Sequence, residues 1–162
     1  MRACVDDFEI FFDESYGSVV RAVTMAVGDR GRAEDLTQEA FARAFGRWPV
    51  VSVMDRPVTW VYVVALNAER KRWRREERAS ARDDRVDMVV GDLAGGVTTA
   101  LVVKDALARL APRQRCAVAL RYLADLPIAE VAKVMGCAEG TVKATLHHAL
   151  RNLRVDLDGG EP

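Results

Sequence analysis

The residues best equipped for chemistry stand near the C-terminal end of the chain. Lys143, Ala144, His147, Arg151 and Arg154 recur at spacings that keep them on one side of a helix. Val142, Leu146, Ala149, Leu150 and Leu153 fall on the other side and form the expected inward face. Lys143 and Arg151 hold charge that neutralises phosphate at any cellular pH. His147, neutral near pH 7, is better suited to reading a base edge. Glu139, Gly140 and Thr141 open this helix, and Gly140 lets a nucleic-acid strand come close to the backbone. Just upstream, Ala132 is a small contact residue, Gly136 supplies a turn of positive φ, and Val142 returns an apolar side chain. A basic helix face behind such a turn fits the major groove of DNA. His147 and His148 are neighbours about 100° apart on a helix and cannot chelate one ion together.

A second basic zone lies in residues 66–82, where Arg70, Lys71, Arg72, Arg74, Arg75, Arg78 and Arg82 outnumber Glu69, Glu76 and Glu77. Asn67 lies on the same side as Lys71, Arg74 and Arg78, a grouping suited to a DNA strand. Catalytic patterns are missing from the sequence. It has no glycine-rich phosphate loop, no G-x-S-x-G, no H-E-x-x-H and no cysteine with a plausible histidine base, so no enzyme, cofactor or metal is expected. Cys4, Cys116 and Cys137 are odd in number and form no C-x-x-C, which favours a reducing cytoplasm over a disulfide or zinc framework.

The elements that must position these residues read as helices throughout. The 162 residues balance 24 Lys+Arg against 24 Asp+Glu, and half are hydrophobic, enough for one ordinary domain or two small ones. The neutral total conceals segregation: residues 1–20 set five acids against Arg2, and residues 83–96 set Asp83, Asp84, Asp87 and Asp92 against Arg85. Periodicity predicts helices over 7–27, 32–47, 57–78, 99–110, 112–123, 127–135 and 138–153, with a loop at 49–57. Leu36, Ala40, Phe41, Ala44 and Trp48 are expected to be buried on the second helix, opposite Asp35, Gln38 and Glu39. Residues 80–98, rich in glycine and aspartate, read as a flexible acidic linker. The longest apolar run, 58–66, is too short to span a bilayer, and the acidic N-terminus lacks the apolar core of a signal peptide.

With the elements placed, a resemblance emerges. Ala111-Pro-Arg-Gln-Arg-Cys-Ala-Val-Ala-Leu-Arg-Tyr122, followed by the helix-turn-helix, resembles the sigma-4 domain of extracytoplasmic-function (ECF) sigma factors, group 4 of the sigma-70 family. The stretch from Gly28 to Trp48, with Ala-Glu-Asp-Leu-Thr-Gln-Glu at 33–39, is similar to the core-binding helix of the family's sigma-2 domain. Trp60-Val-Tyr-Val-Val-Ala-Leu-Asn67 and the arginines after it resemble that domain's promoter-reading helix. The resemblance implies an all-α protein of two small helical domains: a sigma-2 bundle (1–79) for core binding and the minus-ten element, the linker (80–98), a sigma-4 helix-turn-helix (99–157) for the minus-35 element, and a tail (158–162).

It also implies roles and partners. Asp35, Gln38 and Glu39 dock on the β′ clamp helices of core RNA polymerase, and sigma-4 meets the β flap. Asn67, Lys71, Arg74, Arg75 and Arg78 act at the minus-ten element, with loop 50–56 helping to hold a flipped base. Glu139, Gly140, Thr141, Lys143, Ala144, His147 and Arg151 act at the minus-35 element. Where family members often carry Ser-Arg after the recognition-helix lysine, this chain has Ala144 and Thr145, which implies fewer phosphate contacts. Control in trans by an anti-sigma factor is expected. The rival expectation is a helix-turn-helix regulator with an N-terminal dimerisation or sensing domain, against which the polar Asp35, Gln38 and Glu39 face argues.

Overall fold

A computed structural model describes residues 2–80 and 98–158. Its elements are α1 (Arg2–Val27), α2 (Arg30–Gly46), α3 (Trp48–Val51), α4 (Pro57–Ser80), α5 (Thr98–Arg109), α6 (Pro112–Val118), a π-helical turn (Ala119–Leu123), α7 (Ile128–Met135) and α8 (Glu139–Asp158). The expected helices are therefore present, with two refinements. Pro49 takes an early position in α3, a single helical turn inside the expected loop, because a missing N–H costs nothing there. The expected helix over 112–123 changes register, with Ala124 N donating to Ala119 O (3.0 Å) and Leu126 N to Leu120 O (3.1 Å). This wider turn ends with Asp125 at φ 51° and delivers the chain to α7.

α1 and α2 are joined at Gly28, whose φ of 83° only glycine adopts without strain. Asp29 then caps α2, its Oδ1 accepting from Arg32 N at 2.7 Å. Rings stitch the two helices to α3: Phe12 meets Phe41 edge-on at 5.1 Å, and Phe11 lies 5.0 Å from Trp48. The first half of α4 buries Val61, Tyr62, Ala65 and Leu66 against this bundle. The C-terminal helices enclose Cys116, Ala117, Leu120, Val131, Val134, Met135, Val142, Leu146 and Ala149.

These two subdomains pack against each other. α1 meets α6 and the π turn, α4 lies against α7, and the buried side chains of both halves form one continuous cluster. The linker expected at 80–98 falls almost wholly outside the described residues. No helix among the described residues is long and apolar enough to cross a membrane.

Candidate nucleic-acid and polymerase interfaces

α2 separates its faces by helical period. Ala33, Thr37, Ala40, Phe41 and Ala44 are buried, and Asp35, Gln38 and Glu39 are exposed on the far side. Glu39 is paired with Arg43, Nη2 to Oε1 at 2.6 Å, whereas Asp35 and Gln38 have no side-chain partner among the described residues. The face is therefore polar, open and only partly neutralised.

α4 changes character along its length, as its sequence requires, but one charged side chain points inward. Glu69 is fully buried with Trp73 one turn on. Its carboxylate pairs with Arg32 of α2, and Arg72 Nε lies 3.6 Å from Oε2. Burying a carboxylate is costly unless cations stand beside it. Sequence reading missed Glu69 because it stands among arginines. The available signal was its place in the stripe Tyr62, Leu66, Glu69, Trp73, whose steps of four, three and four belong to one face.

The expected minus-ten residues are gathered on α4, with Lys71, Arg74, Arg75 and Arg78 exposed and Asn67 half-buried. They are not all free. Arg70 Nη2 donates to Asn67 Oδ1 at 3.1 Å, and its Nη1 donates to Val134 O at 3.3 Å. Arg74 Nη2 donates to Gly136 O at 3.5 Å, and Arg75 Nε to Lys71 O at 3.4 Å. The C-terminal carbonyls of α7 thus attract cations from α4, as the negative end of a helix dipole does. In loop 50–56, Val51 is buried, and Val50, Val53 and Met54 are exposed apolar side chains.

The helix-turn-helix is built as its small residues require. Ala132 is buried, and Gly136 ends α7 in the left-handed conformation at φ 66°, ψ 39°. A Cβ there would lie 3.0 Å from Arg70 Nη1. Near the start of α7, Glu130 accepts from Lys133 Nζ at 2.7 Å. That bond, with the nearby Thr59 hydroxyl of α4, holds the Glu130 carboxyl below its ordinary range. On α8, Val142, Leu146 and Ala149 are buried, and Glu139, Gly140, Thr141, Lys143, Ala144, His147 and Arg151 are exposed. Leu150 corrects the expected inward face: it is 39% exposed, because Ala149 takes the position nearest the core and Leu150 lies about 100° round the helix from it. The His147 and His148 rings sit 5.9 Å apart, tilted by 71°.

Comparison with known proteins decides what this arrangement belongs to. Residues 11–79 match the Sigma-70 region 2 family, and residues 100–153 match Sigma-70 region 4. The RNA polymerase sigma-E factor of Streptomyces avermitilis is 31% identical over 155 residues, covering 94% of this chain and 86% of its own. The chain is an ECF sigma factor of the sigma-70 family. As such it is no enzyme: it binds core RNA polymerase and directs promoter recognition. The ECF RNA polymerase sigma factor SigL of Mycobacterium tuberculosis is 32% identical over 152 residues, covering 90% of this sigma factor and 86% of its own chain. The Bartonella quintana sigma factor RpoE, crystallised with the anti-sigma factor NepR, superposes with a TM-score of 0.73. It covers 96% of this chain and 99% of its own at 21% identity, a likeness of fold.

Proposed function

We propose a division of labour within this sigma factor in which α2 docks on the polymerase, α4 opens the minus-ten element and α8 reads the minus-35 element. In this reading sigma-2 spans 1–79, the linker 80–98 and sigma-4 99–157. The observation that carries this reading is the two-faced construction of α8, with Val142, Leu146 and Ala149 buried and Lys143, His147 and Arg151 exposed behind the left-handed Gly136. In this reading Lys143 and Arg151 take phosphates, His147 meets a base edge, and Glu139, Gly140, Thr141 and Ala144 line the close approach.

On the polymerase side, the exposed Asp35, Gln38 and Glu39 meet the β′ clamp helices, and the sigma-4 half meets the β flap. Asn67, Lys71, Arg74, Arg75 and Arg78 hold the minus-ten strand, with loop 50–56 offering apolar side chains to an unstacked base. An anti-sigma factor is a third partner, a reading supported by the complex in which the similarly folded Bartonella factor was crystallised. The test is capture of core polymerase followed by transcription from a pre-melted template. Asp35→Ala with Gln38→Ala should weaken capture while helical content and melting temperature stay level, since exposed changes shift stability by within about 0.5 kcal/mol. Unchanged capture removes the α2 assignment.

A further inference from the structure

We propose that Glu69 is a positioning residue that sorts the cations of α4 by role: it draws Arg72 inward as a bracket between α4 and α2, and leaves Lys71, Arg75 and Arg78 to carry the minus-ten strand. The proposal rests on the assignment of α4 to the minus-ten element. It adds that one arginine of the basic run takes no phosphate, and that a buried carboxylate is the reason.

Glu69 is 0% exposed, and its carboxylate meets guanidinium groups from two different helices. Arg32 comes from the first turn of α2, one turn before Asp35, and Arg72 Nε lies 3.6 Å from Oε2 on α4 itself. The side chains of both arginines are partly open, at 43% and 38%, so burial alone does not hold them there. The buried charge does, because a carboxylate out of water attracts a cation more strongly than one in water. Arg72 Nε also lies 3.1 Å from Glu76, but that carboxylate is 47% exposed, and solvent screens such a pair.

Helical period separates this bracket from the strand face. At about 100° per residue, Lys71, Arg75 and Arg78 fall within about 60° of one another, with Asn67 among them. Arg72 stands about 100° round from Lys71, on the strip that Glu69 and Glu76 occupy. Arg75 Nε donates to Lys71 O, and Lys71, Arg75 and Arg78 pair with no carboxylate among the described residues. Their charges are uncompensated, whereas the charge of Arg72 is met twice. A phosphate gains from counterion release where it meets an uncompensated cation, so Arg72 offers it little while Glu69 stands. Glutamine at position 69 keeps the shape and an acceptor oxygen but removes the charge. Arg72 is then left with the exposed Glu76, which a strand of several phosphates outcompetes.

The test is the salt dependence of holoenzyme binding to a single-stranded minus-ten oligonucleotide, selected from a randomised pool by the parent holoenzyme. Each phosphate contact on a single strand contributes about 0.7 of a unit to the log–log slope. Lys71→Ala and Arg78→Ala should each flatten the slope by that amount, and Arg72→Ala should leave it level. Glu69→Gln should steepen the slope by about 0.7 of a unit, and Glu69→Gln with Arg72→Ala should return it to the parent's. A merely structural role for Glu69 would lower affinity at every salt concentration and leave the slope level, and that result overturns the proposal. Flattening by Arg72→Ala equal to that by Lys71→Ala also overturns it, leaves the minus-ten assignment standing, and needs no folded Glu69 variant. If Lys71→Ala, Arg75→Ala and Arg78→Ala all leave the slope level, the minus-ten assignment itself fails and the proposal falls with it.

Discussion

On α4 the guanidinium groups of Arg70, Arg72 and Arg74 all meet oxygen atoms of this chain, whereas on α8 the side chains of Lys143 and Arg151 meet none among the described residues. Both helices carry a basic face opposite an apolar stripe, so their sequences look alike in kind. They differ in what stands opposite the bases. α4 has a buried carboxylate beneath it and the carbonyl end of another helix beside it, and α8 faces open water. A basic helix is thus a reservoir of contacts whose availability is set by its neighbours.

The largest effect should come from removing the carboxylate that organises the α4 side. Glu69→Ala leaves Arg32 and Arg72 without their shared buried partner. The expected cost is about 2–3 kcal/mol, below the full figure for a buried pair because both arginines reach water. Thermal unfolding should show a fall of about 5–10 °C. A melting temperature within a degree or so of the parent's would mean that Glu69 organises nothing.

The difference between the helices sharpens in a salt titration of the free chain on duplex DNA. Lys143→Ala and Arg151→Ala should each flatten the dependence of binding on salt by about one unit of log–log slope. Arg70→Ala and Arg74→Ala should leave that slope alone, because α7 already holds those groups. Equal flattening by all four substitutions would erase the distinction between the two faces.

A smaller effect belongs to His147. His147→Ala should relax discrimination at one base pair by about 1 kcal/mol and leave the salt slope unchanged. Selection on randomised minus-35 sequences measures this, and identical preferred sequences for variant and parent would leave the ring without a reading role.

The smallest effect is a pH slope from the Glu130–Lys133 pair on α7. Glu130 has its folded pKa depressed, by the Lys133 hydrogen bond foremost, so its stabilisation is fully present above the ordinary value of 4.5 and fades as pH falls through the lower folded value. Acid titration of the melting temperature should lose that component in Glu130→Gln. A profile identical to the parent's would remove Glu130 from the account.

Much of this molecule is legible locally. The inward Val142, Leu146 and Ala149 of α8, the outward Asp35, Gln38 and Glu39, and the left-handed turn at Gly136 follow from helical period and from glycine's freedom at positive φ, which involve only residues a few places apart. The Asp29 cap is equally local, its carboxylate accepting from Arg32 N three residues on. Capping depends on which side of the residue the helix lies, and here helices lie on both.

What only the tertiary structure decided is which charges are free. Arg70 and Arg74 find acceptors more than 60 residues away, and Glu69 finds Arg32 on another helix. No periodicity encodes these meetings, since they depend on how two separately patterned halves dock. Sequence therefore determined the faces of this sigma factor, through backbone rules that act within a turn or two. Docking determined which of those faces remain open, because electrostatic partnership reaches whatever the fold brings near, whatever the distance along the chain.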